Sequence, residues 1–323
     1  MHALAPNGRS GGRNDRSATT AALKAYAGDL GPPLDGRRGT VRWHGCEVAY
    51  TEAGDAEAPT VVLLHGVNAA GSSGEYEKIW DALAERYHVV APDLPGFGCS
   101  ERPAIEYDGA FYTSFVASFL ARFDAPAVIA SSLAGAYVAG ALDDPDVNPR
   151  ALALVCPSTG AIPGPNPWAR ALVRAPIVGD LLVDVAASKS GIRRSSADHG
   201  YYDASTVDDE WLDYQWRSAH QPGARHAIAA FVGGYLNVDV DLADALEAFD
   251  GPVTIVWGGQ AETTPPSTGR ALAAAIQADF VEIDRTALVP HAERPAAFLE
   301  AVGDRFGAVG DRLDAVDDRL DDE

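Results

Sequence analysis

The stretch that decides the fold is VIASSLAGAYVAG, residues Val128–Gly140. Its apolar start is typical of a strand buried on both faces, and its second half has the composition of a helix. Ala130 and Ala134 stand two positions before and after Ser132. A sharp turn from strand to helix requires small residues there, and it holds the central serine in a strained conformation at the edge of the sheet. We therefore predict that Ser132 is a nucleophile; the alternative is a serine that only caps the helix.

Two backbone amides beside this turn are candidates for stabilising a negative charge. The Leu133 N–H would begin the helix, where amides lack a partner and the helix dipole favours an anion. Another predicted strand ends in LLHG, and the amide that follows Gly66 belongs to Val67. We predict that these two amides form an oxyanion hole. His65 is expected to brace the loop rather than to transfer protons.

The rest of the sequence alternates between short apolar runs and amphipathic segments. Runs such as TVVLLHG and GPVTIVWGG predict buried strands, and YDGAFYTSFVASFLARF predicts a helix. The stretch TVRWHGCEVAYTEAG alternates like the two strands of a hairpin. This alternation favours parallel β–α–β units and hence an α/β sandwich. The predicted units are a flexible tail over residues 1–36, an α/β core over 37–160 and 239–306, an aromatic-rich helical cap over 161–238 and an acidic tail over 307–323.

Taken together, these motifs resemble the α/β-hydrolase superfamily, in particular its branch with a helical cap and a serine nucleophile. LLHG, PDLPGFGCS, ASSLAG, VTIVWGG and PHAERPAAF occur in the family's order between residues 39 and 306. The resemblance implies an α/β-hydrolase fold with a mostly parallel, doubly wound sheet. It also implies a Ser–His–acid triad, no cofactor, and a small-molecule substrate between cap and sheet. A serine rather than an aspartate at the turn disfavours epoxide-hydrolase and dehalogenase chemistry.

Both expected partners of the serine are displaced from the family's positions. The closing motif usually reads Gly-His-x-x-x-x-Glu-x-Pro, and counting back from Glu293 gives Leu288 where the histidine is expected. His291 comes three residues later, a shift of about 4.5 Å in a helix or up to about 10 Å in extended chain. The usual acid would fall at Ala261, and the next carboxylate is Glu262.

Three interpretations of this site remain open. In the first, His291 reaches Ser132 and is oriented by Glu262 or another carboxylate, so that the protein hydrolyses an ester-like or acyl substrate. In the second, Ser132 acts without a histidine, through water or a carboxylate, and turnover is slow. In the third, the fold is catalytically silent and its pocket binds a ligand, since loss of the base typically lowers the rate thousands-fold or more.

The composition limits the partners that the protein can have. The chain of 323 residues carries a formal net charge of −21, which resembles proteins of halophiles and argues against nucleic-acid and membrane partners. No apolar run is long enough for a membrane span, and the N-terminus lacks the apolar core of a signal peptide. We expect a cytoplasmic protein. Its three cysteines form no metal or disulfide pattern, and we expect no metal and no cofactor.

Overall fold

The computed structural model describes residues 30–303 and residue 306. The predicted acidic tail over 307–323 lies outside the described residues, as do residues 1–29 of the predicted N-terminal tail. Residues 30–36, which the sequence analysis assigned to that tail, pack on the core instead. Leu34 is buried, and the carbonyl of Asp35 accepts a 2.7 Å hydrogen bond from the indole of Trp80.

The core is one eight-stranded, mostly parallel sheet in the order β1-β2-β4-β3-β5-β6-β7-β8. The predicted hairpin forms the edge pair, in which β1 and β2 are antiparallel, and β2 also pairs antiparallel with β4. The other neighbours are parallel, which confirms the predicted α/β-hydrolase sheet. The strands are β1 (Arg37–Trp43), β2 (Cys46–Ala53), β3 (Thr60–Leu64), β4 (His88–Pro92), β5 (Ala127–Ser131), β6 (Ala151–Val155), β7 (Val253–Gly258) and β8 (Asp279–Ile283).

Helices cover the sheet because the inner strands, β3 to β7, are almost wholly buried and need cover on both faces. The Asp108 carboxylate caps the second of these helices by accepting from the Phe111 N–H at 2.8 Å, a normal N-cap contact. The helices of the core are α1 (Glu77–Ala84), α2 (Gly109–Leu120), α3 (Leu133–Ala141), α9 (Leu242–Glu247), α10 (Pro266–Ala275) and the short α11 (Pro290–Glu293). Residues 295–303 are also helical.

Between β6 and α9 the chain leaves the sheet and forms a run of helices. These are α4 (Pro167–Arg174), α5 (Val178–Ala186), α6 (Lys189–Ser195), α7 (Asp209–Ala219) and α8 (Arg225–Val232). Most of the cap aromatics pack within the protein, as Trp211 does by stacking on Tyr214 at 5.5 Å between ring centroids. We retain 161–238 as the proposed bounds of the cap. Among the described residues, no helix is long and apolar enough to cross a membrane.

Candidate active site

Ser132 lies at the tight junction between β5 and α3. Its backbone has φ 54° and ψ −124°, a left-handed conformation that is costly for a residue with a side chain. The turn is held by a 2.8 Å hydrogen bond from the Ser132 N–H to the Val155 carbonyl. Space is tight three residues later, because a Cβ on Gly135 would lie 3.1 Å from the Cβ of Pro157. The junction therefore has the geometry that the sequence predicted for it.

The two amides predicted to bind an oxyanion lie at the ends of neighbouring strands. β3 and β5 are parallel neighbours, with Leu64 opposite Ala130, so Val67 and Leu133 follow strands that end at the same edge of the sheet. Leu133 is the first residue of α3, where an amide has no acceptor within the helix. Their joint role as an oxyanion hole stays a prediction, and this arrangement supports it.

His65 braces the loop, as the sequence analysis expected. Its Nε2 accepts a 2.9 Å hydrogen bond from the Leu94 N–H, so Nδ1 carries the proton and donates to the Gly66 carbonyl at 2.8 Å. Both ring nitrogens are therefore occupied by backbone groups.

The nearby PDLPGFGCS turn also has a structural role. Its Asp93 carboxylate accepts hydrogen bonds from the N–H groups of Ser73 and Cys99, each at 2.7 Å.

His291 is fully buried at the start of α11, and its neighbour is a carboxylate that the sequence analysis did not single out. Its Nε2 lies 3.4 Å from Oε1 of Glu75. The imidazole packs between the rings of Tyr76 and Phe298, at centroid distances of 4.9 and 5.6 Å. Neither ring nitrogen, nor Oε1 of Glu75, meets hydrogen-bond geometry with another described residue. The contact thus lies at the outer limit of hydrogen-bond distance, and it is an ion pair only when His291 is protonated.

Glu75 connects this pair to the nucleophile turn. Its other oxygen, Oε2, accepts a 3.0 Å hydrogen bond from the Gly66 N–H. A methyl group placed on Gly66 would lie 3.4 Å from that Oε2, 3.2 Å from Oγ of Ser131 and 3.6 Å from Cβ of Ser132. The carboxylate and Ser132 therefore flank the same glycine, while the opposite side of the carboxylate faces His291.

The surroundings of Glu75 keep its carboxylate charged. Burial raises the pKa of Glu75, but the adjacent imidazole of His291 and the Gly66 N–H together outweigh it and leave the pKa below its ordinary value. A buried anion held in this way is stabilised by its partners rather than by water. Glu75 can therefore accept a proton at neutral pH.

The structure does not bring Glu262 to His291. Glu262 is exposed on the loop after β7, and the ion pair of His291 is with Glu75. Glu262 is therefore replaced by Glu75 as the candidate acid, because the loop carries the Glu262 side chain into solvent. Ala261 is buried, so the family's usual acid position offers no carboxylate.

Leu288 is the residue that the motif count assigned to the family's usual histidine position. It is half-buried against the main core, and its N–H donates to the Gly200 carbonyl of the cap at 3.0 Å. Glu293 fixes this loop by accepting from the Ala287 N–H at 2.7 Å. Its other oxygen accepts from the N–H groups of Tyr202 and Asp203, at 2.8 and 3.1 Å. The Glu293 carboxylate thus links the loop that contains Leu288 to the cap.

The cysteines offer no alternative nucleophile. Burial raises the pKa of Cys46 and of Cys99 to about 11 each and that of Cys156 to about 12, so the thiols stay protonated near neutral pH. All three are free thiols. Within residues 30–303, no group of three or more His, Cys, Asp or Glu side chains could hold a metal ion.

Comparisons with known proteins agree with this architecture. The model of the Alpha/beta hydrolase family matches residues 61–301, and the chain belongs to that family. It is 24% identical over 273 residues to the uncharacterized hydrolase YugF of Bacillus subtilis, covering 83% of this chain and 96% of that protein. A crystal structure of an alpha/beta hydrolase fold protein from Burkholderia ambifaria superposes with a TM-score of 0.67 at 24% identity, covering 86% of this chain and all of that one.

Another relative has a higher sequence identity to this chain, but over a shorter segment. The uncharacterized hydrolase YNR064C of Saccharomyces cerevisiae is 48% identical over 59 residues, which are 18% of this chain and 20% of the yeast protein. The chain thus matches about a fifth of the length of that relative. A match over so short a segment supports membership of the family but does not identify a substrate.

Proposed function

We propose that the protein hydrolyses an ester-like or acyl substrate through Ser132, with Glu75 as the proton acceptor and His291 as the residue that positions Glu75. The observation that carries this proposal is the left-handed backbone of Ser132. Strain of this kind costs about 1–3 kcal/mol and is concentrated at functional sites. A serine that only capped a helix would not need it, because cap residues normally have extended backbone.

The proposed reaction uses covalent catalysis. The Ser132 hydroxyl oxygen attacks the carbonyl carbon, and its proton passes to the Glu75 carboxylate directly or through one water. The resulting oxyanion accepts hydrogen bonds from the N–H groups of Val67 and Leu133. The tetrahedral intermediate then expels the leaving group, which takes the proton from Glu75. Water attacks the acyl-enzyme in the same way and releases the acid and the free serine.

A carboxylate base predicts slow turnover. General bases are most effective when their pKa lies near the working pH, and the pKa of Glu75 is held below the ordinary glutamate value. We therefore expect rates below those of an intact Ser–His–Asp triad. In an alternative arrangement, His291 takes the proton and Glu75 orients it. The pH dependence of kcat/KM would differ between the two arrangements.

A catalytically silent binding protein is the second candidate. It is favoured by Leu288 and Ala261, because both residues replace groups that the family uses for catalysis. This candidate predicts that Ser132 has no more nucleophilic reactivity than an ordinary serine.

Fluorophosphonate labelling separates the two candidates. The proposal predicts that the native protein is labelled and that Ser132→Ala is not, while the matched variant Ser131→Ala keeps its label. Glu75→Gln is expected to slow labelling by about 10²–10⁴-fold, the usual contribution of a general base. An unlabelled native protein that also fails to hydrolyse a panel of p-nitrophenyl esters would leave the binding protein as the better account.

A further inference from the structure

The outer face of α4 and α5 is apolar where a surface helix is normally polar. Trp168 and Leu172 are exposed one helical turn apart on α4, and Ile177 begins an exposed series that continues along α5. Trp168 is 86% exposed and Ile177 is 82% exposed. The exposed apolar residues of this face, called the cap face below, are Trp168, Leu172, Ile177, Val178, Leu181, Leu182 and Val185.

The two helices form one surface because their backbones pack closely. A Cβ on Gly179 of α5 would lie only 1.8 Å from the carbonyl oxygen of Val173 in α4, so glycine is required at this approach. The cap face therefore lies on a joined pair of helices and not on two independent segments.

Three of the four charged residues of α4 and α5, namely Arg170, Arg174 and Asp180, are held in ion pairs. Arg170 and Arg174 both pair with Glu106 of the core, and Arg170 also lies over the ring of Tyr235 at 4.1 Å. These contacts turn the two guanidinium groups of α4 away from the apolar series.

The acids of α5 lie beside basic side chains. Asp180 accepts a 2.7 Å hydrogen bond from Arg225 of α8, and Asp184 lies 3.4 Å from Nε2 of His220. Among residues 160–186, Asp184 is the only charged residue that is exposed. The cap face thus adjoins a single exposed charge on a protein with a net charge of −21.

We propose that the cap face binds an uncharged lipid surface. Exposed apolar patches of this kind mark interaction sites, and an exposed tryptophan is typical of side chains at a lipid–water interface. The negative charge of the whole molecule repels anionic membranes and a second copy of the chain. An uncharged lipid surface is not repelled in this way. This departs from the expectation of no membrane partner, which rested on the net charge and on the lack of an apolar run long enough to span a membrane.

The cap face is connected to the nucleophile turn through the chain itself. The Ser158 N–H donates to the Ser132 carbonyl at 3.3 Å, and the segment that follows leads to Trp168 at the start of α4. Lipid esters bound at the cap face would then be candidate substrates for Ser132. This consequence rests on the proposed hydrolysis, whereas the binding itself does not.

Flotation with phosphatidylcholine vesicles tests the binding, and Ser132→Ala as the parent protein keeps the test independent of hydrolysis. We expect the parent to float with the vesicles and the variant that also carries Ile177→Asp and Leu181→Asp to bind at least tenfold more weakly. The matched control is Tyr202→Ser, which changes an exposed aromatic residue outside the cap face and should bind as the parent does. Vesicles with added phosphatidylglycerol should bind more weakly in low salt.

A second readout does not depend on the folding of the double variant. Brominated phosphatidylcholine should quench the fluorescence of the parent more strongly than that of Trp168→Phe. Absence of flotation and of quenching at both low and high salt overturns the proposal. It is also overturned if sedimentation shows a stable dimer that Ile177→Asp with Leu181→Asp converts to monomers, because the cap face would then be an interface between two copies.

Discussion

Ser132 holds a backbone conformation that glycine adopts freely and alanine does not. Replacing it with glycine should relieve strain of about 1 kcal/mol relative to alanine, because only the alanine keeps a Cβ at positive φ. We expect Ser132→Gly to be more stable than Ser132→Ala in urea denaturation, with both variants inactive towards esters. Equal stability of the two variants would mean that the turn is unstrained and would remove the main support for a nucleophile.

Glu75 is the residue of the candidate site that sequence reasoning missed. It lies in GSSGEYEKIW, where no motif spacing relates it to the serine. Its role depends on the packing of a short helical turn, Ser73–Tyr76, against the loop at Gly66 and against His291 from the far end of the chain. One feature of the sequence could have pointed to Glu75. It is a charged residue beside Tyr76, in a loop that follows a buried strand ending in LLHG.

At the scale of elements, most strands of the core could be predicted from the sequence. Continuous apolar runs predicted the parallel strands, and the alternation of TVRWHGCEVAYTEAG predicted the antiparallel pair of β1 and β2. The assignment of Leu288 to the family's histidine position stays a prediction. The placement of Glu262 was not predictable by counting, because a one-residue shift in a loop decides whether a side chain points to solvent or to the site.

The loop from β8 to α11 is tied to the cap by one side chain, Glu293. Its two oxygens accept three backbone N–H groups, and unsatisfied amides cost about 1–3 kcal/mol each when buried. We expect Glu293→Ala to lower the free energy of unfolding by about 2–3 kcal/mol, measured by urea denaturation.

Glu293→Gln is the matched control, because its amide oxygen keeps part of the acceptor capacity and the variant should lose less stability. A Glu293→Ala variant as stable as the native protein would show that the loop and the cap are held together by apolar packing alone.

At the scale of the whole molecule, the charge sets the conditions in which the fold is stable. Acidic residues number 46 against 25 lysines and arginines, so like charges repel across the surface. Salt shortens the range of this repulsion to about 3 Å at 1 M. We expect the midpoint of urea unfolding to rise between 0.1 M and 2 M potassium chloride. An unchanged midpoint would show that the acidic residues are balanced locally by ion pairs.

The pH dependence of ester hydrolysis tests the central claim most directly. A charged Glu75 is the active base, and its pKa lies below the ordinary value of 4.5. The account therefore predicts that kcat/KM is constant from neutral pH down to about pH 5 and falls only at lower pH. A fall in kcat/KM centred near pH 6–7, where histidine titrates, would contradict it and assign the proton transfer to His291.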